Sequence, residues 1–229
     1  MLGSVETQNR IFQIVGSGEH CILYGEPGTG KSSFVRKASE AAGISLHALP
    51  ITRGCSGQSL FALIAPDSKG MWQRLDGPCT RAAREGGILL LDDLHVAGPD
   101  VESAIYSAAD RHSIELPWGE VITPHTRYQV IATSNVGPEK LAPAIRSRFA
   151  IEIAVNGILP QTVETMPAWA RNLLASLPDS APGAPIDTRN VWASIRLAQK
   201  FGRATALDLV FGTAQGKEIE TACLMAERK

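Results

Sequence analysis

The chain has 229 residues, 44% of them hydrophobic, with 22 Lys and Arg against 23 Asp and Glu and a formal net charge of −1. That length suits one large domain or a core with a small appendage, and the apolar share is enough for a real core. The charge balance offers no general attraction to nucleic acid or to an anionic membrane, and no apolar run approaches the length needed to span a bilayer.

The opening stretch, MLGSVETQNR, has no basic segment followed by an apolar one, so no secretory leader is read there. The four cysteines, Cys21, Cys55, Cys79 and Cys223, are scattered without a C-x-x-C pair, which reads as reduced thiols in a cytoplasmic protein. The first strand is predicted at HCILY, residues 20–24. Directly after it, Gly25-Glu26-Pro27-Gly28-Thr29-Gly30-Lys31-Ser32 fits G-x-x-x-x-G-K-[ST], with Ser33 following. A phosphate chain can sit inside a turn only where no Cβ blocks the backbone N–H groups that hold it. The glycines meet that need, and a helix starting at Lys31 adds its positive end. Lys31 would reach the β- and γ-phosphates of a bound nucleotide, and the Ser32 hydroxyl would bind Mg2+. A chance match in a chain this long has odds on the order of 1%. Phe34, Val35, Ala38, Ala41 and Ala42 line one face of the predicted helix, and Gly43 is placed to end it.

A second strand is predicted over residues 44–51 and a third, GGILLLDD, over 86–93. The third ends in Asp92-Asp93, and two acids capping a buried strand are costly unless a cation meets them. Mg2+ beside Ser32 is the natural candidate, with Asp92 as its acid and Asp93 orienting the attacking water. Pro99 opens a helix carrying Val101, Ala104, Ile105, Ala108 and Ala109 on one face. The fourth strand, YQVIATSN (128–135), ends at Thr133-Ser134-Asn135, where Asn135 can donate to a γ-phosphate or hold the water. A helix is read at PEKLAPAIRSR, with Arg146 and Arg148 at its end, before a fifth strand over 149–155. Each strand run is continuously apolar, as for strands buried on both faces. Strands alternating with helices imply a parallel sheet covered on both sides, with ligands beyond the carboxyl ends of its strands. Past Asn156 strands stop, and helical segments follow at roughly 160–176, 188–201, 203–212 and 215–227, with the loop PDSAPGAPID between the first two.

With these residues assembled, the chain resembles an AAA+ ATPase, and specifically the MoxR group. DGPCTRAAREGGILLLDDLHVAGPDVESAIYSAADRHSIELPWGEVITPHTRYQVIATSN is similar to the MoxR pattern throughout. LAPAIRSRF resembles the family's box ending in Arg-Phe, and IDTRNVWASIRLAQKFGRATALDLVFG resembles the lid of the CbbQ/NorQ branch. The resemblance implies a five-stranded parallel αβα P-loop core over 1–156 and a small all-helical lid over 157–229. It also implies a homo-oligomeric ring, usually a hexamer, with ATP between neighbours. By the same resemblance Lys31 and Ser32 match Walker A, Asp92 the Walker B metal acid and Asn135 sensor 1. Arg148 matches the arginine finger that reaches a neighbour's ATP, and Arg189 matches sensor 2. Read from the residues alone, Arg146 or Arg148 is otherwise an exposed cation favoured by a helix end. Arg189, after a predicted cap at Asp187 or Thr188, opposes its helix dipole and needs another reason, which a triphosphate would supply.

The family usually has Asp-Glu where this chain has Asp92-Asp93, so hydrolysis is expected to be measurable but modest. Residues 54–86 resemble the helix-2 insert and residues 113–124, with a Pro-Trp-Gly turn, the pre-sensor-1 hairpin. The latter carries Glu115, Trp118 and Glu120 and no cation, and the former places Trp72 beside Lys69 and Arg74. Both features suggest a protein-facing surface with the tryptophans as anchors, or else tryptophans packed on their own domain. The resemblance implies a partner with a von Willebrand factor A domain and a protein client. A nucleic-acid motor and a slowly hydrolysing ATP-dependent scaffold are the competing readings.

Overall fold

The computed structural model describes residues 4–158, 160–176 and 188–227. Contacts divide the chain into two compact units, one of residues 9–25 and 31–154, the other of residues 1–8, 26–30 and 155–229. In the larger unit five parallel strands form one sheet: β1 (Cys21–Tyr24), β2 (Leu46–Pro50), β5 (Ile88–Asp92), β8 (Gln129–Ser134) and β9 (Ile151–Ala154), in the order β2-β5-β8-β1-β9. The predicted α/β architecture is therefore the observed one. The three central strands are buried along almost their whole length, as their apolar runs require. β2 and β9 depart from that expectation. They are the edges of the sheet, and most of their residues are half-exposed.

Helices α2 (Lys31–Ala41), α3 (Pro78–Glu85) and α4 (Pro99–Ala108) connect or flank these strands, following α1 (Val5–Ile14). α2 buries Phe34, Val35 and Ala38, the predicted face, and Phe34 meets Phe12 edge-on with ring centres 5.0 Å apart. α3 ends at Gly86, whose φ of 74° lets the chain turn at once into β5. The core joins Ile22, Leu89, Leu91 and Val130 of the sheet to Val101 and Ile105 of α4.

Two hairpins leave this unit. β3 (Ala62–Pro66) and β4 (Trp72–Asp76) pair Ile64 with Arg74 and Pro66 with Trp72, and Asp67 caps their turn by accepting from the N–H groups of Lys69 and Met71. β6 (Ile114–Glu115) and β7 (Val121–Ile122) form the shorter one around Pro117-Trp118-Gly119. The helix expected at PEKLAPAIRSR is broken. A 3-10 turn spans Pro138–Lys140, and α5 holds only Pro143–Arg146, because Pro143 drives Ala142 out of the helical region, to ψ 129°.

In the other unit, α6 (Pro160–Glu164), α7 (Ala168–Ser176), α8 (Thr188–Phe201), α9 (Arg203–Phe211) and α10 (Thr213–Glu227) pack around Met166, Leu173, Val191, Leu207 and Ile219. The segment read as one helix over 160–176 is two, with Pro167 between them. Gly216 has a structural reason: a Cβ there would lie 2.8 Å from the Asp208 Cα, so the close approach of α9 and α10 requires glycine. The loop PDSAPGAPID and the predicted cap at Asp187 lie outside the described residues. Among the described residues no helix is long and apolar enough to cross a membrane.

Candidate active site

Parallel register carries the carboxyl ends of β1, β5 and β8 to one rim. Tyr24 pairs with Ser134, and Leu91 pairs with Ala132. Whatever follows these strands is therefore gathered there, which is why Gly25, Asp92-Asp93 and Asn135 meet although they are distant in sequence. The glycines of the loop after β1 occupy backbone conformations that side chains resist: φ is 146° at Gly25, 80° at Gly28 and 88° at Gly30. Within the loop, the Thr29 hydroxyl donates to the Glu26 carbonyl at 3.0 Å, while Glu26 and Pro27 are exposed.

Lys31 opens α2 and is buried. Its Nζ donates to the Gly25 carbonyl at 2.8 Å and to Asn135 Oδ1 at 3.0 Å. The Asn135 amide nitrogen donates in turn to Asp93 Oδ1 at 2.9 Å. Ser32, the next residue of α2, donates its hydroxyl to Asp92 Oδ1. Lys31, Asn135 and Asp93 thus form one chain of bonds, and Ser32 and Asp92, their sequence neighbours, form a second at the same rim. Ser33 is exposed on α2 and makes no part of either.

Asp93 has φ 62° and ψ 45°, the left-handed region, and is the one non-glycine residue there among those described. Such a conformation costs on the order of 1 kcal/mol and concentrates at functional sites. Two contacts of this turn were not read from the sequence. Thr133 Oγ1 accepts from the Asp93 N–H at 3.1 Å and donates to Asp92 Oδ1 at 2.5 Å. His95 Nδ1 accepts from the Asn135 N–H at 3.3 Å. Strand alternation carried a signal for Thr133, since residues two apart share a face and Thr133 therefore falls with Asn135. Ser134, on the other face, donates to the Val136 carbonyl. Nothing local in the sequence singles out His95.

The arginines have different fates. Arg146 is taken up by Glu152, with bonds of 2.6 and 3.1 Å. Arg148 lies with its guanidinium carbon 4.3 Å from the centre of the Tyr106 ring, and its buried Nε has no hydrogen-bond partner. Asp110 is near enough to feel that charge. Its carboxyl is held below the usual range first by the N–H groups of Ser113 and His112, then by Arg148. Arg189 is exposed near the start of α8, in the other unit.

Trp118 and Trp72 also separate. Arg74 stacks on the Trp118 ring at 3.9 Å, and the Trp118 indole N–H donates to Glu120 at 2.9 Å. Trp118 is therefore fastened to its own domain. Trp72 is 73% exposed, in company with Ile64 and Met71 on the same hairpin.

A P-loop between β1 and α2, acids ending β5 and a polar residue ending β8 define a nucleotide-binding protein of the AAA type. The sequence pattern of the AAA domain family, dynein-related subfamily, matches residues 20–149, and the chain belongs to that family. It is similar to uncharacterised proteins of Staphylococcus aureus (strain bovine RF122 / ET3-1) and Staphylococcus haemolyticus, at 30% and 29% identity over 142 residues, covering 58% of this chain and 54% of each relative. Among solved structures, a candidate ATPase of Cytophaga hutchinsonii superposes with a TM-score of 0.55 at 19% identity, over 76% of this chain and 51% of that one. NtrX of Brucella abortus in complex with ADP gives 0.57 at 16% identity, over 86% and 50%. The chain spans about half the length of these relatives.

Proposed function

We propose that this chain is a Mg2+-dependent ATP hydrolase of the MoxR group, CbbQ/NorQ-like, that works as a ring to remodel or activate a protein partner. The observation that carries the reading is the set of bonds at the rim, in which Lys31 bonds Asn135, Asn135 bonds Asp93, and Ser32 bonds Asp92. NtrX, similar in fold, is in complex with ADP, which supports a nucleotide as the ligand. The Ser32 hydroxyl and Asp92 carboxylate are hard oxygen donors on one another, the pair that suits Mg2+. Among the described residues no three His, Cys, Asp or Glu side chains cluster as a metal site. Ser32 and Asp92 are the residues that would hold the cation. Bound there, Mg2+ would neutralise charge on the β- and γ-phosphates.

The residues of the chain supply the rest. The N–H groups at the start of α2 face the phosphates, and Lys31 compensates their charge. Asn135 spans Lys31 and Asp93, so it can sense the γ-phosphate and hold Asp93 at once. Asp93 accepts a hydrogen bond from the attacking water. The water oxygen bonds to the γ-phosphorus as the bridging P–O bond breaks, giving ADP and inorganic phosphate. Asp93 is one methylene shorter than glutamate and is already engaged by Asn135, which supports slow turnover and keeps the scaffold reading as the alternative. The MoxR resemblance assigns Arg148 to a neighbour's ATP and Arg189 to the chain's own. It also supplies the hexameric ring and the von Willebrand factor A partner. The β6–β7 hairpin, acidic and with its tryptophan fastened down, does not favour a nucleic-acid motor.

A phosphate-release assay tests the chemistry. Wild type should turn over ATP, Lys31→Ala should abolish turnover, and Asp93→Asn should lower it at least tenfold. Equal rates for wild type and Lys31→Ala, with the nucleotide still bound by wild type, would leave the scaffold. Light scattering with a slowly hydrolysed ATP analogue, for wild type and Arg148→Ala, tests the ring.

A further inference from the structure

We infer that Thr133 is a positioning residue that yokes the two acids of the rim, Asp92 and Asp93, and so couples the cation side of the site to the water side. The inference rests on the reading of the rim as an ATP site. Thr133 is 1% exposed, and its hydroxyl is engaged in two directions. It donates its proton to Asp92 Oδ1 at 2.5 Å, the same oxygen that takes the Ser32 hydroxyl. Its lone pair accepts the Asp93 N–H at 3.1 Å.

The second bond matters because of where Asp93 sits. A left-handed aspartate is strained, and the Thr133 hydroxyl is the partner of its half-buried N–H. Thr133 supplies that partner and so holds the turn that presents the Asp93 carboxylate to Asn135. A single hydroxyl therefore fixes the side chain of one acid and the backbone of the next. Valine has the shape of threonine and cannot make either bond. Serine can make both.

Thr133→Val and Thr133→Ser distinguish this from a packing role. Turnover and KM for ATP are measured, together with calorimetric titration of a slowly hydrolysed ATP analogue with and without Mg2+. Thr133→Val should lower kcat at least tenfold and weaken Mg2+-dependent binding several-fold, while binding without Mg2+ stays within about threefold of wild type. Thr133→Ser should return kcat to within about threefold of wild type. If circular dichroism shows Thr133→Val unfolded, Thr133→Ala replaces it with the same expectations. Wild-type turnover in the hydroxyl-free variant overturns the inference, and so does a serine variant as impaired as valine. A wild-type chain that neither binds the analogue nor hydrolyses ATP overturns the ATP reading together with this one. Turnover in wild type that survives loss of the hydroxyl overturns this one alone.

Discussion

The two ends of the five-stranded sheet both bury polar side chains, and they satisfy them in opposite ways. At the carboxyl rim, beside bonds to backbone, four bonds run from side chain to side chain and link the polar groups to one another: Lys31 to Asn135, Asn135 to Asp93, Ser32 and Thr133 to Asp92. At the other end they run mainly from side chain to backbone. Gln129, fully buried at the start of β8, accepts the Gly16 N–H at 2.8 Å and donates to the carbonyls of Ile14 and Glu19 at 2.9 and 2.6 Å. His20 Nδ1 accepts the Val130 N–H at 3.1 Å, and the Tyr128 hydroxyl donates to the Ala108 carbonyl at 2.7 Å. Side chains can exchange partners by turning about their own bonds. Backbone groups cannot leave without moving the chain, and left unpaired they cost stability. The side-chain bonds of the rim can thus be exchanged for those of a ligand, while the opposite end fixes the strands that bring the rim together.

The largest effect expected from this contrast is at Gln129. Gln129→Ala takes the partner from the half-buried Gly16 N–H and from the Glu19 carbonyl, and one of two donors from the Ile14 carbonyl, which keeps the Ser17 N–H; it should cost about 2 kcal/mol. Urea unfolding reads that cost as a lower midpoint at unchanged slope. A loss below about 1 kcal/mol would mean the backbone at this end is satisfied without the glutamine, and the contrast would fail.

A smaller effect is expected from His20. Burial, with the Arg111 charge second, lowers its pKa from 6.5 to about 4. The fold therefore holds the neutral ring. Between about pH 6.5 and 4 the unfolded chain takes up a proton that the folded one refuses. The stability that depends on the neutral ring is intact above that window, falls as pH drops through it, and is gone below it. The slope approaches at most about 1.4 kcal/mol per pH unit. His20→Asn keeps an acceptor for the Val130 N–H and has nothing to titrate. Subtracting its pH profile from that of wild type removes the contribution of carboxylates such as Asp110. A zero difference across the window would show that His20 protonates in the folded state.

These two ends were unequally legible in the sequence. The rim announces itself because phosphate chemistry restricts residue types at fixed spacing, and parallel strands deliver their ends to one edge. Gln129 gives no such signal, since its partners lie 110 to 115 residues away and a glutamine in YQVIATSN looks like any strand residue. The edge strands β2 and β9 read as fully buried because an apolar run does not reveal which strands stand at the edge. Pro143 and Pro167 did carry the breaks in the helices read across them, and helical periodicity masked them. The two tryptophans were indistinguishable in sequence. Trp118 is held because Arg74 arrives from the other hairpin to cover it, while Trp72 meets no such neighbour and stays 73% exposed.

The smallest stability effect, and the sharpest probe of the contrast, belongs to Asn135. It is half-buried, and its side-chain partners have alternatives: Lys31 retains the Gly25 carbonyl, and the half-buried Asp93 carboxylate can accept from water. Asn135→Ala should therefore shift the unfolding free energy by less than about 1 kcal/mol, because water and existing partners absorb the lost bonds. On the proposed ATPase reading turnover should fall at least tenfold, since the amide bonds both Lys31 and Asp93. Urea midpoints and phosphate release on the same preparations decide it. Destabilisation as large as that of Gln129→Ala would make the rim as structural as the opposite end, and a variant with full turnover would detach Asn135 from the chemistry. Only the combination of near-native stability with lost turnover matches a rim whose bonds are exchangeable.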